Sequence, residues 1–234
     1  KGCWEHAVNA IKALKKAGIQ VQVNCTVTQQ NYDDVDDIMA LAESLGVENF
    51  HLFFLVPTGR GTDIEDITPE MYEEMIKNTL AKTTKYKLNV KPSCAPQFMR
   101  VAKDQGVDMS RWVRGCMAGL YYCRIYPSGE VTPCPYMPVS LGNIREKSFK
   151  DIWLNSEVFK ALRDFDQLKG KCRICEHRDV CGGCRARAYG VTTENMDFCG
   201  ALHEPTEMRG DYLADDPWCN YQPKGSKKGN QQGL

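Results

Sequence analysis

The sequence predicts an α/β domain with a parallel sheet, followed by a cysteine-rich domain that binds metal. Helical and strand-like apolar patterns alternate in the first half, at a spacing typical of βαβ units. Four of the twelve cysteines then fall in one short segment, from Cys172 to Cys184. The alternation stops where the cysteines begin to crowd, so we expect domains at residues 1–108 and 109–221 and a polar tail at residues 222–234.

The first half divides into helices and strands by its apolar periodicity. Helices are predicted over residues 7–17, after Asn31, from Thr68 and from Cys94, and strands over residues 19–28, 49–56 and 87–90. Three strands are too few to close a barrel. The chain also begins at a lysine rather than a methionine, so we expect it to be the later part of a longer protein.

A glycine-containing loop, Pro57-Thr58-Gly59-Arg60-Gly61, follows the second predicted strand. Ligands of parallel α/β folds bind at the carboxyl ends of the strands. Gly59 and Gly61 allow close backbone approach, and the guanidinium of Arg60 can bind a carboxylate or phosphate through two hydrogen bonds. The alternative is a mobile turn with a solvated arginine.

Charge and hydropathy limit the partners and the cellular location that the sequence predicts. Thirty basic residues balance thirty acidic ones, so the net charge does not point to nucleic acid or to an anionic membrane. No apolar run is long enough to span a bilayer, and the first residues do not resemble a secretory signal. We therefore predict no nucleic-acid partner, no membrane span and a cytoplasmic location, where clustered cysteines favour metal binding over disulfides.

The central segment has the spacing C-x2-C-x5-C-x2-C, made by Cys172, Cys175, Cys181 and Cys184. A C-x2-C loop lets two thiolates bend back onto one metal centre, so two such loops can serve one or two centres. Disulfides are the main alternative. A hairpin turn is predicted at residues 127–130, short helices around residues 149–154 and 157–165, and a further helix from Arg185.

The complete cysteine pattern resembles the SPASM domain of radical SAM enzymes. Cys116 is followed by twelve residues, Gly129, four residues and Cys134, then by the central segment and a later cysteine. The last pair has two intervening residues where many members have three. The resemblance implies up to two auxiliary [4Fe–4S] clusters, and it implies that the first half is the C-terminal part of a partial (β/α)6 TIM-like barrel.

Shorter motifs resemble the radical SAM proteins of haem and haem d1 biosynthesis, which trim carboxylate side chains from iron-porphyrinoids. They are Cys116-Met-Ala-Gly, Pro133-Cys-Pro, Gly142-Asn143, the segment 181–189, the segment 210–219 and the loop 57–61. The resemblance implies an iron-porphyrinoid substrate, an electron donor such as a ferredoxin or flavodoxin, and an anaerobic or reducing context. Substrate carboxylates need cationic partners. Arg60, Arg185 and Arg187 are the candidates, although Arg185 and Arg187 could equally form a solvated helix face.

The resemblance also implies which cysteines bind iron. One cluster takes Cys172, Cys175, Cys181 and Cys219, and the other takes Cys116, Cys123, Cys134 and Cys184. Several points stay open: Cys94 can replace Cys123, that iron can stay free for substrate, Cys199 can replace Cys219, and the clusters can number one or two.

Radical SAM enzymes bind their reducing cluster through C-x3-C-x2-C, and no such spacing occurs in this sequence. The chain by itself is therefore expected to be inactive, with S-adenosylmethionine and a third cluster bound only in the intact protein. Two other functions remain possible from the sequence, a SPASM maturase that acts on a ribosomal peptide and a zinc-binding interaction module. Metal content separates the zinc module from the two cluster-binding functions.

Overall fold

The computed structural model describes residues 2–57, 61, 63–83, 85–108, 110, 112–193 and 210–226. The first half contains α1 (Cys3–Lys16), β1 (Gln22–Val27), α2 (Val35–Ser44), β2 (Asn49–Phe54), α3 (Pro69–Lys82), β3 (Asn89–Ser93) and α4 (Phe98–Asp104). The second half contains β4 (Arg124–Ile125), β5 (Val131–Thr132), α5 (Phe149–Asn155), α6 (Glu157–Arg163), a 3-10 turn (Phe165–Gln167), α7 (Gly170–Ile174) and α8 (Arg185–Thr192).

The strands β1, β2 and β3 form a parallel sheet in that order, as the sequence predicts. The helices α2 and α3 lie between consecutive strands along the chain, which makes two βαβ units. Val27, Phe50 and Leu52 are fully buried in the core that this sheet shares with its helices. The α3 helix begins as predicted, because Thr68 Oγ1 accepts a hydrogen bond from the amide of Met71 at 3.3 Å.

The predicted boundaries of three elements are wrong. The second helix begins at Val35, because the side chain of Asn31 instead closes a preceding turn by accepting from the amide of Thr28 at 2.9 Å. The third strand lies over Asn89–Ser93 and the next helix begins at Phe98 rather than Cys94. Cys94 is consequently the first residue beyond the carboxyl end of β3.

A hairpin and a second core organise the later half. The strands β4 and β5 pair antiparallel around the predicted turn, where Gly129 takes a φ of 95° that a glycine adopts without strain. Val131, Met137 and Phe159 are fully buried in the second core, which also includes Cys184. Ser148 and Ser156 cap α5 and α6 as side-chain acceptors. Among the described residues, no helix combines the length and the apolar character needed to cross a membrane.

The two halves meet at the carboxyl end of the parallel sheet. Arg187 Nη2, from α8, donates to the carbonyls of Leu55 and Cys94 at 3.0 and 3.1 Å. Trp218 Nε1 donates to the carbonyl of Ile67 at 3.0 Å. The cysteine-rich segments therefore face the end of the sheet at which parallel α/β folds place their ligands.

Candidate metal centres

Four cysteines line a partly open cavity of about 380 Å³ in the later half. This first thiol group consists of Cys172, Cys175, Cys181 and Cys219. Cys172 lies in α7, where its amide donates to Asp215 Oδ1 at 3.0 Å. Lys171 Nζ donates to the carbonyl of Cys219 at 2.6 Å, which joins parts of the chain 48 residues apart. The fold thus brings together the four cysteines that the resemblance assigns to one cluster.

Two consecutive glycines shape the wall of this cavity. Gly182 and Gly183 have φ angles of 74° and 61°, a left-handed conformation that side chains with a Cβ rarely adopt. A Cβ on Gly183 would also lie 3.1 Å from Cys172 Sγ, closer than an ordinary contact. Glycine is therefore required here both by the backbone and by the approach of the sulfur.

Two hydrogen-bond donors point at the sulfurs of the first thiol group. Arg185 Nη2 lies 3.5 Å from Cys172 Sγ, and the backbone amide of Gly183 lies 3.5 Å from Cys181 Sγ. Donors of this kind stabilise negative charge on cysteine sulfur, and they tune the potential of iron–sulfur clusters. The donor set, partly buried thiols with N–H groups aimed at two of the sulfurs, fits a thiolate-bound cluster.

A second thiol group lies between the two halves, and it consists of Cys94, Cys116, Cys134 and Cys184. Each of these thiols interacts electrostatically with the other three. The amide of Cys116 donates to the carbonyl of Cys181 at 3.1 Å, so the second group adjoins the first. Cys123 packs against the same core, but burial alone raises its pKa, with no contribution from another thiol among the described residues.

Burial raises the pKa of one or more thiols in each group. It raises the pKa of Cys219 to about 11 and is the largest cause that raises the pKa of Cys94 to about 12. Such thiols keep their protons at neutral pH. Because only the thiolate binds iron, metal binding at these sites must release protons.

Within the described ranges, no group of three or more cysteine, histidine or acidic side chains is arranged to hold a single metal ion. A tetrahedral zinc ion with Zn–S bonds near 2.3 Å needs its sulfurs about 3.8 Å apart. A [4Fe–4S] cubane binds each thiolate through a different iron, so its ligands stand farther apart. The two kinds of centre therefore place different demands on the thiols, and metal content separates them. The eleven cysteines that the structure describes are all unbridged, so they do not form the disulfides considered as an alternative.

The residues predicted to bind substrate carboxylates lie in two places, the loop at residues 57–61 and the helix α8. Gly59 and Arg60 lie outside the described residues, as does Cys199, while Gly61 is partly exposed beside β2. Arg185 and Arg187 are only 3% and 1% exposed, so the alternative of a solvated helix face is wrong.

Their guanidinium groups are occupied by interior partners. Arg185 Nη1 donates to the carbonyls of Tyr212 and Ala214, and Arg187 donates to the carbonyls at the sheet end and to Asp216. Both side chains are buried, and the terminal nitrogens of both guanidinium groups are held by interior partners, so neither is placed to bind a substrate carboxylate in this arrangement.

Sequence reasoning missed Asp216, which lies at the junction of the two thiol groups. Its side chain is fully buried and accepts from the amide of Cys184 at 2.6 Å and from Gln97 Nε2 at 2.7 Å. Arg187 Nη1 lies 3.4 Å from its other oxygen. The sequence does contain a signal for Asp216, because this residue lies in the segment 210–219 that resembles the family. Only Cys219 of that segment was considered as a functional residue.

Comparison with known proteins agrees with this geometry. Residues 116–184 match the SPASM family, an iron–sulfur cluster-binding domain. The fold resembles that of Streptococcus suis SuiB bound to S-adenosylmethionine, with a TM-score of 0.61 and 17% identity over 89% of this chain and 48% of that chain. These similarities confirm the predicted fold class, part of a TIM-like partial barrel followed by a SPASM domain. In sequence and in fold, the chain is thus similar to radical SAM proteins that carry such a domain.

Individual relatives are closer in sequence. The chain is 39% identical to AdoMet-dependent heme synthase of Methanosarcina barkeri over 233 residues, which cover 95% of this chain and 62% of the relative. It is 37% identical over 238 residues to the heme synthase of Oleidesulfovibrio alaskensis, covering 95% of this chain and 56% of that relative. It is 31% identical over 198 residues to mycofactocin maturase MftC of Mycolicibacterium smegmatis, covering 81% and 48%. The chain thus spans less than two thirds of the curated relatives it matches.

Proposed function

We propose that this chain is part of a radical SAM enzyme that removes carboxylate side-chain groups from an iron-porphyrinoid in haem or haem d1 biosynthesis. The observation that carries the proposal is the 39% identity to the Methanosarcina barkeri AdoMet-dependent heme synthase, sustained over 95% of this chain. In this proposal residues 1–108 belong to the barrel, residues 109–221 form the auxiliary-cluster domain and residues 222–234 form a tail.

The cysteines have distinct roles in the proposal. The first thiol group holds one [4Fe–4S] cluster, which its shared cavity and its sulfur-directed donors support. Cys116, Cys134 and Cys184 hold a second cluster, for which the sequence assigns Cys123 as the fourth ligand. Arg185 and the amide of Gly183 stabilise charge on the sulfurs of Cys172 and Cys181. The apolar second core contains Cys184 and packs against Cys134.

When they are bound, S-adenosylmethionine supplies the radical that abstracts a hydrogen atom, and the auxiliary clusters supply an acceptor for the electron left when carbon dioxide departs. Loss of one hydrogen atom and carbon dioxide from a propionate carboxylate leaves a vinyl group and one electron. The role of this chain is to hold the thiolates in place and to bind the substrate carboxylates. Arg60, between Gly59 and Gly61, is the residue we assign to carboxylate binding.

We place the enzyme in the cytoplasm, in a reducing or anaerobic context, with a ferredoxin or flavodoxin as its electron donor. Thiolate-bound clusters persist where oxidants are scarce, and their low potentials require a strong reductant.

A second candidate is a SPASM maturase that acts on a peptide. The chain resembles the structure of SuiB bound to precursor peptide SuiA, with a TM-score of 0.59, and it is 31% identical to mycofactocin maturase MftC. The higher identity and the longer match favour the heme synthases.

The test of the proposed function begins with iron, acid-labile sulfide and zinc per chain after anaerobic reconstitution. We expect about eight irons and eight sulfides for two clusters, or about four of each for one, without zinc. Zinc without sulfide would overturn the proposal. The second step uses the full-length protein that contains this chain, with S-adenosylmethionine, a reductant and a propionate-bearing iron-porphyrinoid. We expect product that is lighter by carbon dioxide and two hydrogens per side chain. The same iron-porphyrinoid with esterified propionates should not react, and a precursor peptide serves as the competing substrate.

A further inference from the structure

We infer that Cys94, rather than Cys123, completes the ligand set of the second auxiliary cluster, together with Cys116, Cys134 and Cys184. The inference rests on the proposed function, because it names a ligand of a cluster that the proposal places in this chain. Cys94 stands outside the C-terminal cysteine motif, in the barrel half, so the cluster would bridge the two halves of the molecule.

The first support is the mutual proximity of the four thiols. Cys94 and Cys134 pack against the second core, which contains Cys184, and nearby thiols of this set contribute to the raised pKa of each of these three residues. Thiols gathered in one place form the kind of set a cubane requires, with one thiolate for each iron. The raised pKa of Cys123 has no such contribution from another thiol among the described residues.

The second support is the backbone of Cys94. It follows the last residue of β3 and has a φ of 58°, the only positive φ of a non-glycine residue in the part of the chain that the structure describes. Such a conformation is unfavourable for a residue with a Cβ, and it persists only where the surroundings enforce it. The consequence is that the chain turns sharply at the point where the strand ends.

Hydrogen bonds enforce this turn from both halves. The carbonyl of Cys94 accepts from Tyr72 Oη and from Arg187 Nη2, each at 3.1 Å. Arg187 lies three residues after Cys184 in the same helix, and Asp216 joins the two by contacting Arg187 Nη1 and the amide of Cys184. The position of Cys94 is thus fixed relative to Cys184 by side chains that reach across the junction.

Close packing fixes Cys94 relative to Cys116 as well. Gly115 precedes Cys116 and lies so close to Pro96 that a Cβ on the glycine would approach the Pro96 carbonyl oxygen to 2.6 Å. The amide of Gly115 donates to the carbonyl of Val180 at 2.8 Å. The segment that carries Cys116 therefore lies between the segment that carries Cys94 and the central cysteine segment.

The test replaces Cys94, Cys123 and a control cysteine one at a time, and it measures the cluster content of each variant. Cys94→Gly deletes the sulfur while keeping a residue that tolerates a φ of 58°. Cys123→Ala removes the competing thiol, and Cys25→Ala is the control, since Cys25 is a buried residue of β1. The readouts are iron and sulfide per chain and the electron paramagnetic resonance spectrum after mild oxidation. The unfolding temperature of each metal-free variant checks the fold.

For the parent chain we expect about eight irons. For Cys94→Gly we expect either the loss of about four, or the loss of about one together with the signal of a [3Fe–4S] centre, because the iron without a thiolate dissociates. Cys123→Ala and Cys25→Ala should keep the parent content without that signal. Retention of all iron by Cys94→Gly, or the same loss in Cys123→Ala instead, would overturn the inference.

Failure of the inference and failure of the proposed function have different signatures. A parent chain that holds about four irons, all unaffected by Cys94→Gly, overturns the inference and leaves the enzyme class standing. A parent chain that takes up zinc without sulfide overturns both. A parent chain with two clusters that depend on Cys94, in a full-length protein that leaves the iron-porphyrinoid unchanged, supports the inference and overturns the proposed substrate.

Discussion

Arg185 shows how a single side chain can connect the fold to the metal chemistry. It follows Cys184 directly, so the first turn of α8 places it behind the first thiol group. Nη1 donates to the carbonyls of Tyr212 and Ala214, which holds the guanidinium still, and Nη2 reaches the sulfur of Cys172. A fixed positive charge beside a ligand sulfur stabilises the reduced, more negative cluster, and it therefore raises the reduction potential.

We predict that Arg185→Gln lowers the potential of one auxiliary cluster and weakens its retention about 10- to 100-fold. The reason is the loss of both the charge and the hydrogen bond to Cys172 Sγ. Spectroelectrochemical titration of the reconstituted chain measures the potential, and challenge with an iron chelator measures retention.

The matched control is Arg173→Gln. Arg173 neighbours Cys172 in sequence and carries the same charge, but it is exposed and donates to the carbonyl of Asp166. Its replacement should leave the potential nearly unchanged, because solvent screens an exposed charge. Equal shifts in the two variants would mean that net charge, and not the contact with sulfur, sets the potential.

At the scale of secondary-structure elements, the approach of Gly115 to Pro96 decides whether the two halves can close on each other. The contact joins the loop after β3 to the segment that enters the cysteine-rich half. A methyl group at Gly115 would clash with backbone atoms, which cannot rotate away as a flexible side chain can. The separation between the two segments would have to increase.

We predict that Gly115→Ala destabilises the metal-free chain by about 1–3 kcal/mol, the usual cost of overpacking a tight contact. Urea unfolding followed by tryptophan fluorescence measures this change. We also expect lower iron content, because the shift moves Cys116 away from its partner thiols.

Gly190→Ala is the matched control for this substitution. Gly190 lies in α8, and a Cβ there meets nothing within 4 Å. Alanine is the better helix former, so this variant should be more stable by up to about 1 kcal/mol. Destabilisation by both substitutions to the same extent would argue against the clash at Pro96.

The elements also show which features a sequence can predict. The parallel βαβ order and the four-cysteine segment depend on local patterns, and both were correctly predicted. The start of β3 was misplaced because residues 85–88 form a turn before the ladder begins, where the amide of Asn89 donates to the carbonyl of Glu48. The strand also ends at Ser93 rather than at Val90, which puts Cys94 at the strand end, and no local pattern reveals the proximity of Cys94 to Cys134 or Cys184.

Local sequence patterns also do not predict that Arg185 and Arg187 are buried. An arginine in a short helix is usually solvated, and only the tertiary contacts with distant carbonyls and with Asp216 show that Arg187 is interior. The ligand set within the central segment could be proposed from spacing. Cys94, in the barrel half, could be given only as an alternative ligand, because the choice between Cys94 and Cys123 depends on how the two halves pack.

At the scale of the whole molecule, one buried ion pair joins the two cores. Arg187 and Asp216 are 1% and 0% exposed. Arg187 reaches the sheet end, while Asp216 binds the amide of Cys184 and the side chain of Gln97. A buried charge that loses its partner is costly, because water cannot replace the lost interaction.

We therefore predict that Asp216→Asn destabilises the metal-free chain by about 3 kcal/mol or more, since it leaves the Arg187 guanidinium buried without a counter-charge. The control is Asp104→Asn, which should cost less than about 1 kcal/mol, because Asp104 is half exposed and its partner Arg100 keeps Glu73 as a second counter-charge. The double variant Arg187→Met/Asp216→Asn should lose less stability than the sum of its two single variants, because the second substitution removes the charge that the first leaves unpaired. Urea denaturation of the metal-free proteins measures all four values. Strict additivity in the double variant would show that the two side chains act independently, and the halves would then be held together by their apolar contacts rather than by this pair.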